Sequence, residues 1–190
     1  MTTNVKVSYE EVLSPEIFKL LRPYMIEKKR ELYITSSKFA IDLEAITDIL
    51  DLEVEYVELY DNSSGYIKNN IIFINKNHSE NRQRFTIAHE IGHYLFKHND
   101  SIKYRQEKYK YNEKELKEER IANDFSANLL MPEKQMKALL IKYYKDHNIN
   151  ISSGLSNIQK NELTEFISKK LKVSKIAAEY RLFNLRFINV

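Results

Sequence analysis

The sequence predicts an α+β fold in which a small antiparallel sheet precedes a series of helices. From about Ser79 onward, apolar residues recur mainly at helical spacing. Upstream, Glu53 to Leu59 alternates between acidic and apolar residues, and Ile71 to Ile74 is a short apolar run, as expected of strands. Strands and helices that are segregated along the chain are typical of the α+β class.

The N-terminal region, residues 1–40, is expected to form a helical extension. Ser14-Pro15-Glu16 is typical of a helix start, because serine can cap a helix and proline suits its first position. That helix is expected to run toward Tyr33, with a kink or break at Pro23. A second helix is expected from about Asp42 to Leu50.

The sheet is expected from three segments just upstream of the next helix. Glu53 to Leu59 has one face suited to burial. Tyr66-Ile67 and Ile71 to Ile74 flank Asn69-Asn70, a pair that favours a hairpin turn. A polar, tyrosine-rich stretch from Asn99 to Tyr111 is expected to be a loop.

Further helices follow the sheet, and the turn at Ile151 to Gly154 divides them. We expect one domain over residues 1–150 and a C-terminal helical segment over residues 151–190. The helices are expected at about Ser79–Lys97, Asn112–Leu130, Glu133–Lys145, Ser156–Leu171 and Ser174–Phe187.

The composition excludes several classes of protein. With 43% apolar and 30% charged residues, the 190-residue chain has the make-up of a soluble globular protein. It contains no cysteine, so any metal must be held by histidine and carboxylate. We expect a cytoplasmic protein, because no apolar stretch has the length of a signal peptide core or a membrane span. The net charge of +3 does not indicate a nucleic-acid partner, although residues 151–190 are more basic than the rest.

The most informative segment is His89-Glu90-Ile91-Gly92-His93, an H-E-x-x-H motif. On a helix, His89 and His93 project from one face and can bind a single zinc ion. Glu90 can then act as general base on a water molecule. The implied chemistry is metal-assisted hydrolysis, most often of a peptide bond.

The motif alone arises by chance in roughly one chain in a hundred of this size. As ordinary core residues, however, two imidazoles and a carboxylate would all need hydrogen-bond partners inside the protein. Metal binding is the simpler explanation. Gly92 costs the helix about 1 kcal/mol relative to alanine. Two explanations for a glycine at this position remain open: the helix that carries a third ligand approaches closely here, or the glycine serves packing alone.

A catalytic zinc needs a third protein ligand, and Glu118, Glu119 and Asp124 are the candidates in the following helix. Glu119 is favoured because it lies on the apolar stripe of that helix, whereas Glu118 and Asp124 fall toward its polar side. Periodicity by itself fits a solvated carboxylate equally well. Asn123, one turn after Glu119, is placed to accept a hydrogen bond from a ligand histidine.

Arg84 to Leu95 resembles the active helix of the ImmA/IrrE family of zinc-dependent metallopeptidases, and Glu119 to Pro132 resembles that family's second signature. The resemblance spans about Ile41 to Glu133, and Val173 to Leu182 is similar to a C-terminal segment of the family. It implies a compact zincin-like domain. The first 40 residues resemble no family that we can name.

The resemblance also implies a role for each matching residue. His89, His93 and Glu119 are expected to bind Zn²⁺, with Glu90 as general base and Asn123 beside a ligand. Zincins usually add a Tyr or His donor to the oxyanion, for which Tyr94, His98 and Tyr104 are candidates. The strand edge from about Tyr66 to Ile74 can pair with an extended substrate or be an ordinary sheet edge.

The function implied is that of a regulatory endopeptidase whose protein substrate is a helix-turn-helix repressor of a phage or mobile element. One alternative is a zinc-binding regulator or toxin-antitoxin partner with little proteolysis, against which the intact Glu90 argues. Another is DNA binding through a helix-turn-helix in residues 155–190, but a helical hairpin that caps the core explains the same apolar residues. The oligomeric state is left open.

Overall fold

The computed structural model of the chain describes residues 5–60, 63–98, 112–150 and 153–188. Strands and helices together confirm the α+β class. The strands are β1 (Lys6–Ser8), β2 (Tyr33–Thr35), β3 (Glu53–Val57), β4 (Gly65–Lys68) and β5 (Ile71–Asn75). The helices are α1 (Tyr9–Val12), α2 (Pro15–Glu27), α3 (Leu43–Ile49), α4 (Glu80–Leu95), α5 (Glu113–Leu130), α6 (Glu133–Asp146), α7 (Asn157–Leu171) and α8 (Lys175–Asn184). The loop expected from Asn99 to Tyr111 lies outside the described residues.

Each helix expected from the sequence corresponds to one of these helices, and a side-chain cap marks the start of all but α4 and α6. For example, α2 begins after Ser14, whose hydroxyl accepts a hydrogen bond from the Ile17 amide. It continues through Pro23 and ends at Glu27, short of the expected end at Tyr33. In the described parts of the chain, no helix is both long enough and apolar enough to cross a membrane.

The main sheet has three strands in the order β3-β5-β4. The expected hairpin is confirmed: β4 and β5 are antiparallel, and Asn69 and Asn70 between them have φ angles of 50° and 62°. The expectation of a wholly antiparallel sheet is wrong, because β3 runs parallel to β5. The chain reverses between β3 and β4 and again between β4 and β5. The two reversals give β5 the same direction as β3, and because β5 lies between β3 and β4 it pairs with β3 as a parallel strand.

The N-terminal region is not wholly helical, which corrects the expectation for residues 1–40. In addition to α1 and α2, it contains β1 and β2, which pair as an antiparallel two-stranded sheet. Each strand has three residues, too few for an alternating pattern in the sequence. The hydroxyl of buried Tyr9 accepts a 2.8 Å hydrogen bond from the Asp42 amide at the start of α3, so this region shares the core of the protein.

Helix α4 contacts the main sheet as well as α5. Ile72 of β5 and Ile87 and Ile91 of α4 are buried in the common core. Strand β4 approaches the helix closely, because a Cβ atom at Gly65 would lie 2.8 Å from the Thr86 methyl group. The sheet thus fixes the helix that carries the H-E-x-x-H motif.

The C-terminal helices α7 and α8 form a hairpin that packs on the rest of the protein. Leu163 and Ile167 of α7 and Leu182 of α8 are fully buried in the common core. Helix α7 ends at Leu171, and Lys172, which caps it, has a left-handed φ of 54°. Packing in a hairpin therefore accounts for Leu163, Ile167 and Leu182, whereas Ile176 of the same segment is 67% exposed.

Candidate metal centre

Two histidines on one face of α4 begin the site. His89 and His93 are one helical turn apart, and their Nε2 atoms lie 2.9 Å from each other. His89 is 1% exposed, whereas His93 is partly exposed. The two side chains therefore meet where the buried part of the helix surface becomes accessible.

Helix α5 brings Glu119 to the same point. One carboxylate oxygen lies 3.3 Å from His89 Nε2 and the other lies 3.4 Å from His93 Nε2. Burial alone would raise the pKa of Glu119, but hydrogen bonds and positive charge from the two histidines outweigh it and hold this pKa well below its usual range. The carboxylate is therefore ionised over the whole neutral range, as a metal ligand must be.

The geometry fits one zinc ion. One potential ligand atom from each of His89, His93 and Glu119 lies within 4.8 Å of the others. Around a tetrahedral zinc with Zn–N bonds of about 2.0–2.1 Å, neighbouring ligand atoms are about 3.3 Å apart. The Nε2–Nε2 distance of 2.9 Å, and the distances of 3.3 and 3.4 Å from these two nitrogens to the two oxygens of the Glu119 carboxylate, are each within a few tenths of an ångström of that value. Two imidazole nitrogens and one carboxylate leave a fourth position open, as in hydrolytic zinc sites.

Gly92 sets the distance between α4 and α5. A Cβ atom at this position would lie 3.0 Å from Cδ1 of Phe125 and 3.3 Å from the Cα atom of Ala122. Both contacts are shorter than an ordinary van der Waals separation of about 3.5–4.0 Å. Of the two explanations offered by the sequence, the structure shows the close approach of the helix that carries Glu119.

His98 contacts the outer side of His93, since their Nδ1 atoms are 2.9 Å apart. With the Nε2 atom of His93 directed at the shared point, we assign its Nδ1–H as the donor and neutral His98 as the acceptor. Burial and, next, the positive charge of His93 lower the pKa of His98, which favours the neutral form. The sequence suggested His98 as an oxyanion donor and missed this contact. The one signal it offers is a histidine just beyond the helix end.

The other candidates of the sequence take different positions. Glu90 is 6% exposed, next to His89 on α4, and Asn123 lines the same cleft as Glu119. The hydroxyl of Tyr94 donates a 3.5 Å hydrogen bond to the carbonyl of Leu50. Glu90 as general base and Asn123 beside a ligand stay predictions.

The remaining carboxylates and the second tyrosine are placed as follows. Glu118 forms a 3.7 Å ion pair with Lys114, and Asp124 is exposed to solvent on α5. Of the three carboxylates considered as third ligand, Glu119 is the one that joins the group with the two histidines. Tyr104 lies outside the described residues.

Comparison with known proteins gives one match to a family model. The model described as "Peptidase_M78: IrrE N-terminal-like domain" matches residues 44–183. The matched residues include the whole candidate site, as well as α7 and most of α8. No curated protein matches the chain.

Proposed function

The chain belongs to the Peptidase_M78 family of IrrE N-terminal-like domains, and from this premise we propose that it is a zinc-dependent endopeptidase. The observation that carries the proposal is the convergence of His89, His93 and Glu119, together with the buried Glu90 that follows His89 on α4 and that we assign as the base. A site that serves binding alone has no need of that fourth residue. Its presence favours hydrolysis over a regulatory or toxin-antitoxin role with little proteolysis.

The chemistry divides between the metal and the chain. His89, His93 and Glu119 would hold the zinc, which when bound activates water and polarises the substrate carbonyl. Glu90 takes the proton of the attacking water and then delivers it to the leaving amine. The contact from His98 keeps the imidazole of His93 in one orientation and one tautomer.

For the substrate, we propose a protein partner, namely a helix-turn-helix repressor of a phage or mobile element. The support for this class is the resemblance of the two signature segments, Arg84 to Leu95 and Glu119 to Pro132, to regulatory proteases of the ImmA/IrrE kind. A repressor acts on DNA inside the cell, so the proposal also places this protein in the cytoplasm.

The test is cleavage of a co-expressed repressor, followed on purified proteins with zinc determined in parallel. Glu90→Gln is expected to keep about one zinc per chain and to abolish cleavage, because the ligands stay and the base is lost. Glu119→Ala is expected to lose the metal, whereas Asp124→Ala, on the same helix but exposed, keeps it. Cleavage that survives Glu90→Gln would overturn the mechanism, and an empty site in Asp124→Ala would overturn the ligand assignment.

A further inference from the structure

A cleft of about 860 Å³ opens beside the candidate metal centre. Glu119 and Asn123 line it on the side of α5, so the cleft is continuous with the site of the proposed reaction. Phe85 and Arg82 of α4, about one and two turns before His89 respectively, extend the wall away from the metal ligands. A peptide bound at the metal centre can therefore place residues beside its scissile bond in this cleft.

The far wall of the cleft comes from the C-terminal hairpin. Val173 precedes α8, and Ile176 and Tyr180 lie one turn apart on the same face of that helix. Ile176 is 67% exposed and Tyr180 is 66% exposed, although both are large side chains. With Phe85 and Leu116 across the cleft, they give the wall a mainly apolar surface.

Hydrogen bonds between distant parts of the chain hold this wall in place. The side-chain amide of Asn81 on α4 donates a 3.1 Å hydrogen bond to the carbonyl of Val173. The guanidinium of Arg181 donates to the carbonyl of Met131 at 3.0 Å and to Oδ1 of Asn128 at 2.7 Å. The turn before α8 is thus tied to α4, and the helix itself is tied to the end of α5.

We propose that Val173, Ile176 and Tyr180, with Phe85 and Leu116 opposite, form a subsite for one large apolar side chain of an extended peptide substrate. The substrate is the occupant that the structure favours because Glu119 belongs to both the cleft and the metal centre. The subsite rests on the proposed function, to which it adds the substrate preference: a residue such as leucine or phenylalanine beside the scissile bond.

The test measures binding of two short peptide hydroxamates, which chelate a zinc ion without being cleaved. They differ at the residue next to the chelating group, which is leucine in one and glycine in the other. The zinc-loaded protein is expected to bind the leucine compound roughly tenfold to a hundredfold more tightly, the ratio expected for burial of a leucine side chain.

Variants then test whether the cleft residues cause the preference for the leucine compound. Ile176→Asp and Tyr180→Ala are expected to bring the ratio close to one, whereas Tyr180→Phe keeps it. Ile141→Asp is the matched control, because Ile141 is 50% exposed on α6 and does not line the cleft. Zinc content and the thermal unfolding midpoint are measured for every variant. If Ile176→Asp fails to fold, Tyr180→Ala supplies the same information.

Each outcome decides the matter, because peptide cleavage by the wild-type protein is measured separately. Equal binding of the two compounds would overturn the subsite and leave the peptidase proposal standing. A leucine preference that depends on Ile176, in a protein that cleaves no peptide, would support the subsite and overturn the peptidase proposal. A change of oligomeric state in Ile176→Asp with an unaltered ratio would assign the surface to self-association and overturn the subsite. Failure of the zinc-loaded protein to bind either compound would overturn both.

Discussion

Replacement of Gly92 by alanine tests whether the contact between α4 and α5 positions the third ligand. The added methyl group would lie 3.0 Å from Cδ1 of Phe125 and 3.3 Å from Cα of Ala122. An ordinary carbon–carbon contact is about 3.5–4.0 Å. The side chain of Phe125 can turn aside, but the backbone of Ala122 cannot, so α5 must move outward by a few tenths of an ångström.

The displacement is expected to reach the metal ligands. Ala122 is three residues after Glu119 on the same helix, so a shift of one moves the other. Metal–ligand distances are held within about 0.2 Å, and loss of support for a ligand typically lowers metal affinity tenfold to a hundredfold. We therefore expect Gly92→Ala to bind zinc about tenfold more weakly. The gain in helix propensity, about 1 kcal/mol, offsets part of the cost of overpacking, about 1–3 kcal/mol, so the free energy of unfolding of the zinc-free protein should fall by no more than about 2 kcal/mol.

The assay is competition for zinc with a chromophoric chelator, together with thermal unfolding in excess EDTA. Replacing Phe125 by leucine in the Gly92→Ala background provides the control, because it removes part of the ring that the new methyl group meets. The double variant is expected to keep the lowered zinc affinity, because the contact with the Ala122 backbone remains. Wild-type affinity in the single variant would refute the reasoning and reduce Gly92 to a packing residue.

Two further predictions concern groups in contact with the same histidines. The folded-state pKa of Glu119 lies below its ordinary value of 4.5, so the ionised side chain stabilises the protein above pH 4.5, and this stabilisation is lost as the pH falls below that value. In zinc-free protein, Glu119→Gln should therefore make the unfolding temperature fall less steeply below pH 4.5. Parallel curves of unfolding temperature against pH for the variant and the wild type would count against this. His98→Ala should lower the zinc affinity about tenfold, because it removes the group that accepts a hydrogen bond from His93. His98→Asn keeps an acceptor and should therefore retain more of the zinc affinity. Equal zinc affinities of the wild type and His98→Ala in the chelator assay would contradict a role for this contact.

The elements that the sequence predicted well are those set by near neighbours. Helix α2 begins where Ser14 caps it, and the hairpin turns at Asn69 and Asn70, because a few adjacent residues decide each feature. The parallel pairing of β3 with β5 could not be predicted in this way. It depends on which of two edges a strand joins, and both edges are compatible with the same alternating pattern.

In the candidate site, too, the features set by local geometry were predicted and those set by the path of the chain were not. The H-E-x-x-H motif places His89 and His93 through helix geometry alone, and the stripe on α5 favoured Glu119. The contact between His98 and His93 depends on how the chain turns after α4 ends, where the helical period no longer applies. The sequence therefore identified His98 as a candidate but assigned it another role.

The wall formed by α8 was the least predictable part of the site, because it depends on contacts between distant parts of the chain. The hydrogen bond from Asn81 to Val173 joins residues 92 positions apart, and no local pattern reports a contact of that range. The three candidate metal ligands lie on α4 and α5, whereas Ile176 and Tyr180 lie on α8, which contributes none of the three. Under the proposed function, substitutions in α8 therefore alter which side chain fits beside the scissile bond while the proposed zinc ligands and base keep their positions.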